Sequence, residues 1–195
     1  MITRYDLATT IHKAVRKLLF EQALLLARCD FRDEASCREA CGELDRVFFL
    51  LREHAEHEDD LIFPALGELD AALACEAARQ HLGLEQQMRE IERTAVNLRF
   101  ATSAERLELG NLLGQRFNQF VAAQLAHLSF EEVEMQRVFW EKKTDDELRA
   151  LHLALRTRVP PARARVWVDL MLQVGNAAEL SQMGPPPGSP APQAA

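Results

Sequence analysis

Apolar residues recur along this chain at steps of three and four, the repeat of one face of an α-helix. Ala8, Ile11, Val15, Leu18, Leu19, Leu25 and Leu26 predict a first helix over about 6–27. Val47, Leu51, His54, Glu58, Leu61 and Ala65 form the seam of a second, over about 34–66. Ala74, Ala77, His81, Leu84, Met88, Ile91, Ala95 and Leu98 mark a third over 71–100. Leu113, Phe117, Phe120, Gln124, His127, Glu131, Glu134 and Val138 mark a fourth over 104–142. The breaks fall where local chemistry puts them. Pro64 should kink or weaken the end of the second helix, Gly67 and Asp70 mark a stop and the next N-cap, and Thr102-Ser103 is a turn and cap. The interior glycines Gly110 and Gly114 cost helix stability and predict a local bend. No run alternates with the period of a strand.

Four long helices with short connections predict an all-α, up-down-up-down four-helix bundle over 5–142. Thr144-Asp145-Asp146-Glu147 is a capping box opening a further helix to Arg158, and Pro160-Pro161 separates it from another over 162–174. Residues 143–183 therefore form a C-terminal helical extension, and 184–195, rich in Gly, Pro and Ala, a disordered tail.

Polar residues interrupt these seams in a repeated way. His54 and Glu58 are four residues apart, as are His127 and Glu131. On a helix that is about one turn, a rise of about 6 Å, with both side chains on one face. Each HxxxE pair follows a lone seam histidine, His12 before the first and His81 before the second. A lone seam histidine is ordinarily a satisfied core residue. Four of them with two interior carboxylates are different, because unpaired buried acids are strongly disfavoured and a multivalent cation removes the penalty. His12 and His81 lie early in their helices and His54 and His127 late, so an antiparallel bundle gathers all six at one end. Imidazole with carboxylate suits iron, manganese or zinc.

Composition narrows the alternatives. The chain has 195 residues, 48% hydrophobic and 27% charged, with a formal net charge of -7. Neither half is basic, which argues against general nucleic-acid binding. The N-terminus lacks a signal-peptide apolar core and no run approaches a membrane span, so the expected location is cytoplasmic, without membrane insertion. Cys29, Cys37, Cys41 and Cys75 form no CxxC pair and read as reduced thiols, although Cys37 and Cys41, one turn apart, are placed to sense oxidants. Arg149, Arg156, Arg158, Arg163 and Arg165 form a basic face on the extension, read as solvated or as a docking surface for an acidic protein partner. His57 sits one position off the seam, and His152, outside the bundle, reads as a surface residue.

His12 in HKAVRKLL, His54-xxx-Glu58 followed by Ile62-Phe63-Pro64, then His81, then His127-xxx-Glu131-Glu132 resemble the hemerythrin-like, HHE cation-binding domain over about 5–142. The resemblance implies a four-helix bundle with a non-haem di-iron centre. His12, His54, His81 and His127 would be terminal ligands, and Glu58 and Glu131 would bridge two irons about 3.5–4 Å apart. Oxygen-carrying hemerythrins have a further histidine where this chain has Glu85, which becomes a candidate ligand or an outer hydrogen-bond acceptor. They place the last carboxylate at the position of Glu132, the substitute for Glu131. The two HxxxE pairs are closer to hemerythrin-like proteins of iron sensing and iron-centre repair, although the cysteine-pair region of the repair proteins is missing. The His-x-x-x-Glu order is the reverse of the Glu-x-x-His motif of ferritin-like enzymes.

The functional expectation is a protein that senses, carries or scavenges O2, NO, peroxide or iron. The alternatives are a di-iron enzyme with peroxidase-like or NO-reducing activity and an interaction module with a structural metal. No nucleophile triad, nucleotide loop or substrate pocket is legible.

Overall fold

The computed structural model describes residues 4–182. The proposed tail over 184–195 lies outside them. Among the described residues every regular element is helical. The order is α1 (Thr9–Arg28), α2 (Glu34–His57), a π turn (Glu58–Ile62), α3 (Phe63–Gly67), α4 (Ala71–Phe100), α5 (Ser103–Phe130), a second π turn (Glu131–Met135), α6 (Gln136–Lys142), α7 (Asp145–Arg158), α8 (Pro161–Val174) and α9 (Ala177–Gln182). None is long and apolar enough to cross a membrane.

Side-chain caps set the starts of the helices. Asp33 accepts from the Ser36 backbone N–H and Asp70 from that of Leu73. Thr102 with Glu105 and Thr144 with Glu147 complete capping boxes. The first helix starts at Thr9 rather than at Asp6, because the Asp6 carboxylate accepts the backbone N–H groups of Ala8 and Thr9 and so closes a turn ahead of the helix.

α1 packs on α2 and α5, and α4 packs on α5 and α2. α8 lies along α1. The apolar interior falls into two clusters. The larger joins Val15, Leu18, Leu51, Leu84, Phe117, Phe120 and Leu128 with Trp167 and Leu170 of α8. The smaller joins Tyr5, Ile62, Phe63, Ala77, Met135 and Phe139 with Leu148 of α7. On α4, His81 falls between Ala77 of the smaller cluster and Leu84 of the larger, and His54 and Glu58 fall between Leu51 of the larger and Ile62 of the smaller.

The seams slip by one residue where the π turns occur. The helical repeat predicts Leu61 and Ala65 as the inward positions after Glu58, but the buried ones are Ile62, Phe63 and Leu66. After Glu131 it predicts Glu134, but Met135 is buried and Glu134 lies partly in solvent. A π turn carries one extra residue per turn, and that residue moves the register. In the first turn it also makes room for Pro64, whose ring would otherwise crowd the carbonyl one turn back.

Gly110 has a reason other than a bend. A Cβ built there would lie 2.1 Å from Cγ of the Phe31 ring, which packs directly on the helix backbone. Gly114 has nothing within 4 Å of such an atom. Gly110→Ala is therefore expected to destabilise by about 1–3 kcal/mol through overpacking. Gly114→Ala is expected to stabilise by about 0.5–1 kcal/mol. Denaturant unfolding of the two variants checks both signs.

Candidate metal centre

Each HxxxE pair lies where an α-helix passes into a π turn. His54 is in the last turn of α2, and Glu58 opens the first π turn. His127 is in the last turn of α5, and Glu131 opens the second. His12 comes from the first turn of α1 and His81 from the third turn of α4. The fold brings these six side chains together in two groups that share both carboxylates. One is His12, His54, Glu58 and Glu131, the other Glu58, His81, His127 and Glu131. Within each, one ligating atom per residue lies within 4.8 Å of all the others.

Each carboxylate turns one oxygen to each half. Glu58 Oε1 lies 3.5 Å from His12 Nε2 and 3.3 Å from His54 Nε2, whereas its Oε2 lies 3.6 Å from His81 Nε2. Glu131 Oε2 lies 3.3 Å from His12 Nε2, and its Oε1 lies 3.4 Å from His127 Nε2. Five of the six residues are buried, and the His81 side chain is only 9% exposed. His54 Nε2, Glu58 Oε2 and both oxygens of Glu131 are buried without a hydrogen-bond partner. Buried polar atoms are nearly always paired, so four orphans divided between these two adjoining groups fit bound cations. Buried His/Glu groups of this kind can hold a metal ion.

Tautomers sharpen the fit. His81 Nδ1 is 2.9 Å from Asp59 Oδ1, an oxygen that can only accept, so Nδ1 carries the proton. His127 Nδ1 is 3.0 Å from Gln80 Oε1, and the Gln80 amide is oriented by donating its Nε2–H to Glu76. With Nδ1 of both rings turned to outer acceptors, the two Nε2 atoms face each other across the cluster only 2.9 Å apart. At that distance the two nitrogens need either a shared proton or a metal ion between them. Two nitrogens bound to one ion at right angles, each about 2.1 Å away, would be about 3 Å apart. His12 follows the same rule, with Nδ1 3.1 Å from Glu132, which Arg16 grips through both oxygens at 2.7 and 2.8 Å. Such outer acceptors orient a ligating imidazole and raise its basicity.

Charge in the cluster is unevenly shared. Burial alone would lower the pKa of His12, but hydrogen bonds to Glu132 and Glu58 and the charge of Glu131 outweigh it and raise it to about 10. Burial lowers His54 to about 4 and His127 to about 3, so both rings are neutral. Glu131 is pushed up by burial and by the neighbouring Glu58 carboxylate. Burial opposes ionisation of Glu58, yet the surrounding imidazoles hold its pKa below the ordinary carboxylate range.

Other sequence candidates sit elsewhere. Glu85 belongs to neither group, because Arg52 and Arg89 take its oxygens at 2.7–3.3 Å. Its position one turn after His81 puts it near the right face, but Arg52 reaches across from α2 and claims it together with Glu92. Glu132 faces outward to His12 and Arg16 instead of replacing Glu131. His152 is not a surface residue. It hydrogen-bonds the Tyr5 hydroxyl, and burial lowers its pKa to about 4. Part of the basic face is also turned inward. Arg163 pairs with Glu53 at 2.9 Å, stacks 4.1 Å from the Phe49 ring centre, and stands beside Trp167, whose indole N–H donates to the same carboxylate. Cys29, Cys37, Cys41 and Cys75 are free thiols, and burial pushes Cys29 up to about 12.

Sequence reasoning missed Asp59, Gln80 and Arg16. Only Arg16, one turn after His12, carried a signal in its spacing. Asp59 and Gln80 look like ordinary surface positions until α2 and α4 are brought side by side.

No family model, curated protein or solved structure matches this chain.

The charge distribution sets a pH dependence for metal-free protein. His12, raised from 6.5 to about 10, stabilises the fold fully below pH 6.5, and that contribution is lost as pH rises toward 10. His54 and His127, both lowered, resist the protons that the unfolded chain takes up, so stability falls as pH drops from 6.5 toward 4. Denaturant midpoints in chelator are expected to decline on both sides of about pH 6.5. Metal must displace the His12 proton, so affinity measured by competition titration should rise about tenfold per pH unit between pH 6.5 and 8.5.

Proposed function

We propose that this chain is a hemerythrin-like, four-helix up-down-up-down bundle binding two metal ions, with iron the first choice and manganese or zinc the alternatives. Its role on this reading is to bind, sense or scavenge O2, NO or peroxide. The observation that carries it is the pair of four-residue His/Glu groups that share both carboxylates, with buried unpartnered donor atoms on His54, Glu58 and Glu131. His12 and His54 would hold one ion, His81 and His127 the other, and Glu58 and Glu131 would bridge them. A pair of irons held so supplies redox chemistry with small diatomic molecules. The chain's own residues fix the tautomers through Glu132, Asp59 and Gln80. They also exclude bulk water, as the burial of five of the six ligands attests. A separate reaction step is not required, so binding or sensing is preferred to turnover.

Metal content of protein purified without chelators tests the reading. Two ions per chain are expected for the wild type. His54→Ala should lower the content toward one, whereas Glu58→Ala should remove both because it serves each half. Exposure of anaerobically reduced, iron-loaded protein to O2 or NO should change its near-ultraviolet and visible absorption. Absence of stoichiometric metal in protein refolded with Fe(II), Mn(II) or Zn(II) would refute the reading.

A further inference from the structure

A cavity of about 240 Å³ lies between the ligand-bearing helices and the C-terminal helices α7, α8 and α9. His54, Glu58 and Glu131 form its floor. Its walls are mostly apolar, with Ile11, Met135, Phe139, Leu155, Val168 and Met171 among them. The buried Tyr5–His152 pair supplies a polar patch on one side.

The roof is fastened by the sequence neighbours of two ligands. Glu53, next to His54, holds Arg163 and the Trp167 indole of α8. Lys13, next to His12, pairs with Glu179 of α9 at 2.6 Å. The Trp167 ring centre lies 6.0 Å from that of His54. A collapsed interior would fill this volume with side chains, since protein cores are close-packed. Here charged groups on both sides hold the roof away from the floor. An apolar cavity of about 150 Å³ accepts benzene, so in proportion this one accepts about ten non-hydrogen atoms.

We infer that this cavity is the binding site of a small, uncharged, mostly aromatic or aliphatic organic molecule, held against the His54–Glu58–Glu131 face of the centre. The existence of the site is independent of the metal reading, while its position beside a metal rests on that reading. Apolar walls give affinity without direction, and polar side chains among them, the Tyr5–His152 pair and Gln136 included, offer hydrogen-bonding points that orient the ligand. The ligand class follows from the mostly apolar lining: the charged side chains that share it, Asp6, Arg156 and Glu179, are of both signs and Glu179 is already paired with Lys13, so a net charge on the ligand would lose its hydration against Met135, Phe139 and Val168 for little return.

The test uses 5-fluoroindole, ten non-hydrogen atoms in all, with the full-length chain. Binding is followed by calorimetry and fluorine NMR on chelated, Zn(II)-loaded and Mn(II)-loaded protein. Saturable 1:1 binding is expected in the chelated and Zn(II) forms, with the fluorine signal of the bound probe broadened in the Mn(II) form. Val168→Phe and Leu155→Trp fill the cavity from two different helices, and each is expected to weaken binding at least tenfold while circular dichroism and metal content stay unchanged. Should one variant fail to fold, the other retains the test. Failure of the probe to bind protein that loads two metals overturns the inference and leaves the metal reading intact. Binding of the probe to protein that takes up no metal does the reverse. Binding that survives both fillings, or a bound signal equally sharp with Mn(II) and Zn(II), places the probe elsewhere and also overturns it.

Discussion

Two carboxylates facing one another inside a helical protein are the constraint that everything else answers to. Moving an ion from water into the interior costs several kcal/mol even after relaxation. Glu58 and Glu131 are both inside, and among the described residues their ion-pair contacts are with histidines. The imidazoles around them only partly compensate, because burial holds His54 and His127 neutral. His12 keeps a proton readily, and Glu132 with Arg16 supports it from outside. Protons are thus a makeshift counter-charge, and a metal ion is another that these buried His/Glu groups could hold.

The position of this polar layer matters as much as its content. It separates two apolar clusters that would otherwise run together into one core. The larger cluster draws on α8 and the smaller on α7, so the extension is packed into both halves rather than hung on one end. Its two anchors begin at Lys13 and Glu53, each the immediate neighbour of a ligating histidine. Movement of the roof and movement of the ligands are therefore mechanically linked through α1 and α2.

The positions of the clustered histidines and carboxylates were legible in the sequence because helix periodicity is local. His12, His54, His81 and His127 fall on their stripes whatever the helices later touch, and an HxxxE spacing needs nothing beyond helical geometry. What depends on pairing between distant segments was not legible. Glu85 has the right spacing from His81, yet its fate is decided by Arg52, 33 residues away in sequence. His152 becomes interior only once α7 docks against the turn containing Tyr5. The slip from Leu61 to Ile62 lies between these cases, for Pro64 was visible and its remedy, an extra residue in the turn, was not.

The paired π turns separate two tasks that an unbroken helix would tie together. In a regular helix, each residue is rotated by about 100° from the last, so the direction of a carboxylate dictates where every later side chain points. The extra residue after Glu58 and after Glu131 loosens that tie. Upstream, the chain aims donor atoms at the centre. Downstream, Ile62 and Met135 close over it as a hydrophobic seal. Such a joint is also the place where a helix can tighten or relax by one residue at little cost, so a change in charge at the His/Glu cluster has a built-in path to the outer ends of both helices.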